Sequence, residues 1–324
     1  MAIDTSALMD VVRANAPVLA GAISGVATAT ISNPLDVAKT RIQVQGGIMT
    51  EAKYTGIFRS VRTIYVEEGI RGMYRGYSAA LCSFPVYWSL YFPTYEFVKV
   101  QLSNTSLDQY PVAVQGLSAT ITGTAVDVVT YPLWFLRTRM HTQHLHQITS
   151  ASHARDGYST LRSTVGTIFQ REGPGAFFKG LSASCFGILS YGIQFPVYEY
   201  LKHQVAIDPD TQKPSASGVV LAAIVSKAIA ASFSYPGDVV RTRMQDQMGK
   251  STYKHFLDAM VQIARKEGVG SLYAGFRVNI FRILPQCATT FFVYEHVKAS
   301  IEPPRDDEPR LPFRRFSTQK PLLQ

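Results

Sequence analysis

Four stretches of the chain run for the length of a membrane-spanning helix without a single Asp, Glu, Lys or Arg. They hold 22 residues between Arg13 and Asp36, 20 between Arg75 and Glu96, 18 between Asp108 and Asp127, and 19 between Lys179 and Glu199. A bilayer core about 30 Å thick needs about 20 helical residues, so each stretch predicts one span. Two weaker stretches follow: residues 214–237, interrupted by Lys227, and 283–294, preceded by Arg277 and Arg282. None of the six is a Leu, Ile or Val run. They are rich in Gly, Ala, Ser, Thr and Tyr, which suits helices that pack closely together and partly face water.

The polar segments between these stretches repeat. PLDVAKTRIQ begins at Pro34, PLWFLRTRMH at Pro132 and PGDVVRTRMQ at Pro236, 98 and 104 residues apart. EEGIRGMYRG (67–76), REGPGAFFKG (171–180) and KEGVGSLYAG (266–275) recur with the same internal spacing, as do YEFVK, YEYLK and YEHVK from Tyr95, Tyr198 and Tyr294. Each unit of about 100 residues therefore predicts two apolar helices joined by a polar loop with a short helix, and stacking such units buries faces that one unit alone leaves open. The units run over 15–102, 109–204 and 216–300. Residues 1–14 form a leading segment that reads as neither an Arg- and Ser-rich transit peptide nor a secretory signal. Residues 301–324, with five prolines and mixed charge, read as a disordered tail.

These motifs, Px[DE]xx[KR]x[KR] with Trp134 at the acid position of the second copy and [YF][DE]xx[KR] three times over, resemble those of the mitochondrial carrier family across residues 15–300 or so. The resemblance implies an all-α membrane protein of six transmembrane helices in three pseudo-threefold repeats with short matrix helices. It also implies a monomer that moves a metabolite by alternating access across the mitochondrial inner membrane, with a peroxisomal or plastid membrane as the alternative. In such a protein Pro34, Pro132 and Pro236 interrupt the odd-numbered helices, because proline removes a backbone donor and crowds the preceding turn.

Acid and base three residues apart share nearly one helix face. By the resemblance, a matrix gate pairs Asp36 with Arg137 and Asp238 with Lys39. Trp134 stands where the third acid would face Arg241, so that pair is missing. Gln43 and Gln245 resemble the family's bracing glutamines, and His141 takes the third place. A cytosolic gate is implied from Lys99–Glu199, Lys202–Glu295 and Lys298–Glu96. The starts of the even helices, with Arg75 and Gly76, Lys179 and Gly180, and Gly275, match the family's cardiolipin sites. A helix N-terminus favours a phosphate there, and Ala274 replaces the third basic residue.

Ionisable residues inside a span are candidates for function. Arg282 lies 12 residues before Tyr294, about 18 Å below the cytosolic gate at 1.5 Å per residue, and its forked guanidinium suits a phosphate. Gly187 and Ile188 lie at a similar depth and resemble the contact point of nucleotide carriers, where a base lies on bare backbone. Ser83, Tyr87, Trp88 and Tyr91 offer a polar group and stacking surfaces on the first even helix. Trp134, PLDVAKTRIQ, GIQFPVYE (192–199) and SKAIAASFSYPGDVVRTRMQ (226–245) resemble the NAD, pyrimidine nucleotide, folate and FAD branch, and within it the NAD carriers. Exchange of NAD⁺ or a related nucleotide is the implied function, with pyrimidine nucleotides, FAD or folate as alternatives. Asp127 and Lys227 are further charges in odd-helix stretches, and Asp127 could face Lys227 or Arg282. His141, His144, His146 and His153 cluster after the second signature and read as a solvated polar loop.

Composition removes other classes. The chain has 324 residues, 17% of them charged, against about 25% in soluble chains, and carries a net charge of +9. Three cysteines give no disulfide framework or metal module. Gly173-Pro-Gly175 and Gly268-Val-Gly270 look like phosphate-cradling loops, but no strand precedes them and GxGxxG is never completed, so a soluble nucleotide enzyme is disfavoured. The positive excess points to an anionic small-molecule substrate and cardiolipin, and not to nucleic acid; no cofactor, metal or catalytic residue is implied.

Overall fold

In the computed structural model, residues 16–49, 52–105, 109–149, 160–205, 216–247 and 253–301 are described. Among them lie nine α-helices and no strand: α1 (Ala16–Ile48), α2 (Ile57–Met73), α3 (Tyr77–Ser103), α4 (Pro111–Thr149), α5 (Leu161–Glu172), α6 (Leu181–Val205), α7 (Ala216–Asp246), α8 (Phe256–Glu267) and α9 (Phe276–Ile301). Two short 3₁₀ turns, Pro174–Phe178 and Val269–Tyr273, precede α6 and α9. Each repeat is thus a long helix, a short helix and a second long helix. The leading segment, His153 and the tail lie outside the described residues.

The ring closes pairwise: α3 packs on α4, α6 on α7, and α9 returns to α1. The three odd long helices, α1, α4 and α7, also meet one another. They meet around the signature motifs; this end is called the signature end, and the other the far end. Each short helix sends one buried isoleucine against its own odd helix. Ile64 packs with Val37, Ala38 and Val44, Ile168 with Phe135 and Leu136, and Ile263 with Val240 and Met244.

The odd helices run well past their charge-free stretches. α1 continues to Ile48 and α4 to Thr149, with Pro34, Pro132 and Pro236 inside α1, α4 and α7. The residue before each proline reaches across to the start of the even helix in its own repeat. Asn33 donates to the Met73 carbonyl at 2.8 Å, Tyr131 to that of Lys179 at 2.7 Å and Tyr235 to that of Ala274 at 3.0 Å. There Gly180 and Gly275 sit at φ of 84° and 80°. A Cβ on Gly180 would come within 2.9 Å of the Tyr131 hydroxyl and 3.2 Å of the Arg241 carbonyl, so both the dihedral and the close approach demand glycine.

Six long helices are present, yet among the described residues no helix is long and apolar enough to cross a membrane. Length is ample, since the 33 residues of α1 reach about 50 Å. Apolarity is what falls short, because the helices carry polar side chains toward the inside of the bundle. Ser24, Thr28, Ser32, Ser118, Thr122, Thr130 and Ser226 are all buried. The histidines expected in a loop lie instead on α4, whose last turns stay helical because Leu145 packs into the cluster around Val37.

Candidate functional site

At the signature end the odd helices lock together in two layers. In the inner layer Asp36 of α1 accepts from Arg137 of α4 at 2.5 Å and also from Arg282 of α9, while Lys39 reaches Asp238 of α7 at 3.4 Å. Arg282 donates its other arm to Asn279 Oδ1 at 3.2 Å. Arg282 is therefore attached to this layer of ion pairs itself, and does not stand free above it. Among the described residues Arg241 has no acid within ion-pair distance; its guanidinium lies 5.2 Å from the Tyr131 ring centre.

Below these pairs each interface carries one side-chain brace. Thr242 donates to Gln43 Oε1 at 3.0 Å, Thr138 donates to Gln245 Oε1 at 2.8 Å, and Thr40 lies 3.2 Å from His141 Nδ1. His141 is thus a buried brace between α1 and α4. His146 lies 3.0 Å from Asp246 of α7, and His144 approaches Glu68 at 3.6 Å. Neither group is solvated in the manner expected of a loop. Among the described residues no cluster of three potential metal ligands occurs.

The outer layer was not singled out from the sequence. Arg41, Arg139 and Arg243, the second basic residues of the signatures, each turn to the glutamate of the short helix in their own repeat. Arg41 bonds Glu68 with two arms, one at 3.1 Å; Arg139 meets Glu172 at 2.9 Å and Arg243 meets Glu267 at 2.7 Å. Each also donates to a carbonyl of the next odd helix: Arg41 to His141 at 3.1 Å, Arg139 to Asp246 at 3.2 Å, and Arg243 to Gln43 at 2.8 Å. The signal lay in the repeated Glu-Gly of 68–69, 172–173 and 267–268, which follows the second basic residue of the signature once in every repeat. Burial by itself would raise the Glu68 carboxyl, but the hydrogen bonds and charge of Arg41, with Arg75 beside it, hold it below the ordinary value.

Two residues matched to lipid sites are engaged here. Arg75 pairs with Glu68 at 2.9 Å and Lys179 with Glu172 at 2.6 Å. Their charges are turned toward the short helices. Gly76, Gly180 and Gly275 open the even helices beside them.

At the far end, of the expected cross-helix pairs only Lys99–Glu199 lies wholly among the described residues, and it is not formed. Lys99 lies 3.9 Å from Glu96, and Lys202 3.6 Å from Glu199, each within its own helix. The side chains of Glu295 and Lys298 lie outside the described residues. On each of these two helices the lysine takes the carboxylate three residues away.

Around the lock lies a cavity of about 370 Å³ that reaches the brace residues and is lined by Asp36, Lys39, Arg137, Asp238, Arg241 and Arg282, with Tyr87, Asp127 and Trp134 also on its walls. Tyr87, Tyr91 and Tyr95 stack along α3 at centroid distances of 5.8 and 6.0 Å, as four-residue spacing dictates. The column runs from the floor toward the far end. The Trp134 indole sits edge-on to Phe84 at 5.5 Å, and its buried N–H has no hydrogen-bond partner.

The other expected contacts lie elsewhere. Trp88, next to Tyr87 in sequence, points about 100° round the helix; it is half exposed, stacks on Phe92 at 5.3 Å and does not line the cavity. Ser83 is fully buried and donates to the Ala79 carbonyl of its own helix at 2.6 Å. Gly187 does not line the cavity either, although a Cβ there would meet nothing within 4 Å. The Ile188 side chain lies outside the described residues. Asp127 faces the charge of Arg241, rather than Lys227 or Arg282.

The family model of the mitochondrial carrier protein matches residues 12–106, 108–208 and 212–304, one match for each repeat. The chain is 33% identical over 290 residues to the mitochondrial nicotinamide adenine dinucleotide transporter 2 of Arabidopsis thaliana, covering 85% of this chain and 77% of that protein. It is 31% identical over 293 residues to the mitochondrial nicotinamide adenine dinucleotide transporter 1 of Saccharomyces cerevisiae, covering 88% and 76%. It is 32% identical over 300 residues to the mitochondrial thiamine pyrophosphate carrier 1 of Aspergillus oryzae, covering 86% and 90%. Carried by all three repeats and by likeness along most of its length, the chain belongs to the mitochondrial carrier family, a family of membrane transporters.

Proposed function

We propose that this protein exchanges NAD⁺, or a closely related nucleotide, across the mitochondrial inner membrane by alternating access. One observation carries the reading: a cavity floored by ion pairs, with four cations and two carboxylates, has on its wall Tyr87, the first ring of a stacked tyrosine column. Pyrophosphate oxygens suit the forked guanidinium of Arg282, and a flat base suits the tyrosine column. The names of the Arabidopsis and yeast relatives support the dinucleotide.

The steps follow from the charges. Substrate phosphate competes with Asp36 for Arg282 and Arg137, and so weakens the inner lock. As the odd helices part, Lys99, Lys202 and Lys298 reach Glu199, Glu295 and Glu96 and close the far end. Substrate binding that is tightest in the intermediate lowers the barrier between the two locked states. The protein works as a monomer, with cardiolipin phosphates at the even-helix starts around Gly76, Gly180 and Gly275. Neither a cofactor nor a chemical step is involved.

Proteoliposomes loaded with NAD⁺ are expected to take up labelled NAD⁺ briskly, and excess unlabelled UTP, FAD or folate should compete weakly. Uptake of UTP, FAD or folate with none of NAD⁺ would sink the reading. A second expectation concerns the missing third pair. Trp134→Asp gives Arg241 an acid and completes the inner lock, so exchange should slow several-fold while binding is retained; an unchanged rate would show that Trp134 acts through its packing instead.

A further inference from the structure

Pairing off the charges around the cavity leaves two over. Asp36 takes Arg137 and Arg282, and Asp238 takes Lys39. Arg241 and Asp127 remain. Each lines the cavity and feels the other's charge, but among the described residues neither has an opposite charge within ion-pair distance. A carboxylate and a guanidinium left unpaired at this depth are costly without a ligand, and charges inside a membrane bundle mark the path of a substrate.

Their placement is specific. Asp127 precedes Trp134 by seven residues on α4, so the two share one face with Asp127 about 10 Å nearer the far end. Tyr131 lies between them and carries Arg241 over its ring. The cavity lining therefore holds the Trp134 side chain, the Arg241 guanidinium and, nearer the far end, the Asp127 carboxylate. Were Asp127 a displaced substitute for the acid missing at 134, it would pair with Arg241 in this state, in which the other inner pairs are closed. It does not.

We infer that Asp127 selects substrates in which a diphosphate is joined to a positively charged heteroaromatic ring, pairing with the ring while Arg241 takes phosphate. Oxidised nicotinamide is such a ring, whereas dihydronicotinamide has nearly the same size and no charge. The thiazolium of thiamine diphosphate belongs to the same class. Binding of the cation beside Tyr87 and Trp134 adds the attraction of aromatic faces. The inference deepens the proposed nucleotide exchange and rests on it.

The test uses the full chain in proteoliposomes, with initial uptake of NAD⁺, NADH and ADP-ribose by the wild type, Asp127→Asn and Asp127→Glu. The wild type should prefer NAD⁺ over NADH by about tenfold, the size of one charged contact. In D127N that ratio should fall to about one through loss of NAD⁺ uptake, with NADH and ADP-ribose uptake little altered; D127E should keep the preference. An equal fall for all three compounds would overturn the inference, and so would an unchanged ratio. Recovery of NAD⁺ uptake in D127N by Trp134→Asp would also overturn it, because Asp127 would then be a gate acid. A wild type that carries no dinucleotide defeats the functional reading instead. Preference for thiamine diphosphate over UDP in the same vesicles, present or absent in the wild type and lost or kept in D127N, then decides the role of Asp127.

Discussion

Arg282→Ala is expected to lower NAD⁺ exchange at least a hundredfold while the protein remains folded. Arg282 is the residue that joins the substrate cavity to the inner lock: one arm holds Asp36 and the other Asn279. Alanine removes a bidentate phosphate contact, and two charged hydrogen bonds of about 1.5–3 kcal/mol each cover the hundredfold loss. It also removes the means by which substrate pulls on Asp36. Folding survives because Asp36 keeps Arg137 at 2.5 Å, and so no carboxylate is left bare. Arg282→Lys should recover only part of the rate, since an ammonium cannot grip two phosphate oxygens in one plane. Labelled uptake checks the loss, and the thermal midpoint in detergent checks the fold. Wild-type uptake by the alanine variant would remove Arg282 from the transport path.

The other large effect is on stability. Glu68→Gln should destabilise the protein by about 3–5 kcal/mol, the cost of removing one partner from a buried pair. Arg41 is 0% exposed, and Glu68 is bonded to Arg41 and Arg75 together. Glutamine leaves the Arg41 charge buried against a neutral group. It also loosens Arg41 from the His141 carbonyl, so the α1–α4 contact weakens beyond the mutated repeat. A thermal shift in detergent at neutral pH reads the loss. The sign with pH follows from the lowered pKa of Glu68: its contribution is present above the unfolded value of about 4.3 and disappears as pH falls through the folded value. Wild type and variant should therefore differ across neutral pH and converge only in acid. A constant difference down to pH 3 would show that the pair is not the cause.

Much of the architecture was legible because the repeats report it three times. Pro34, Pro132 and Pro236, with the acids and bases behind them, announce three odd helices and the partners of the inner lock. Trp134 could be recognised as the missing acid for the same reason. Charge-free windows located helices but not their ends: α1 and α4 run far past the first charge because Arg41, Arg139 and Leu145 are buried against neighbouring elements. That burial also turned an expected histidine loop into helix. Trp88 and Ser83 are candidates by their chemistry and their place along the first even helix, and neither tells which way round the helix a side chain points. Arg75 and Lys179 were read as lipid contacts from their place beside a glycine, yet each has a glutamate of the short helix within reach.

The sequence by itself determined the three-unit plan, the positions of the six long helices and the residues of the signature lock, since all of these are written in spacing along the chain. Only the tertiary structure decided which end is closed, that Arg282 belongs to the lock, and that Asp127 and Arg241 have no ion-pair partner among the described residues. The reason is distance between helices. Lys99 has Glu96 three residues away and Glu199 on another helix, and the sequence permits both pairs; how far apart the helix ends stand selects one.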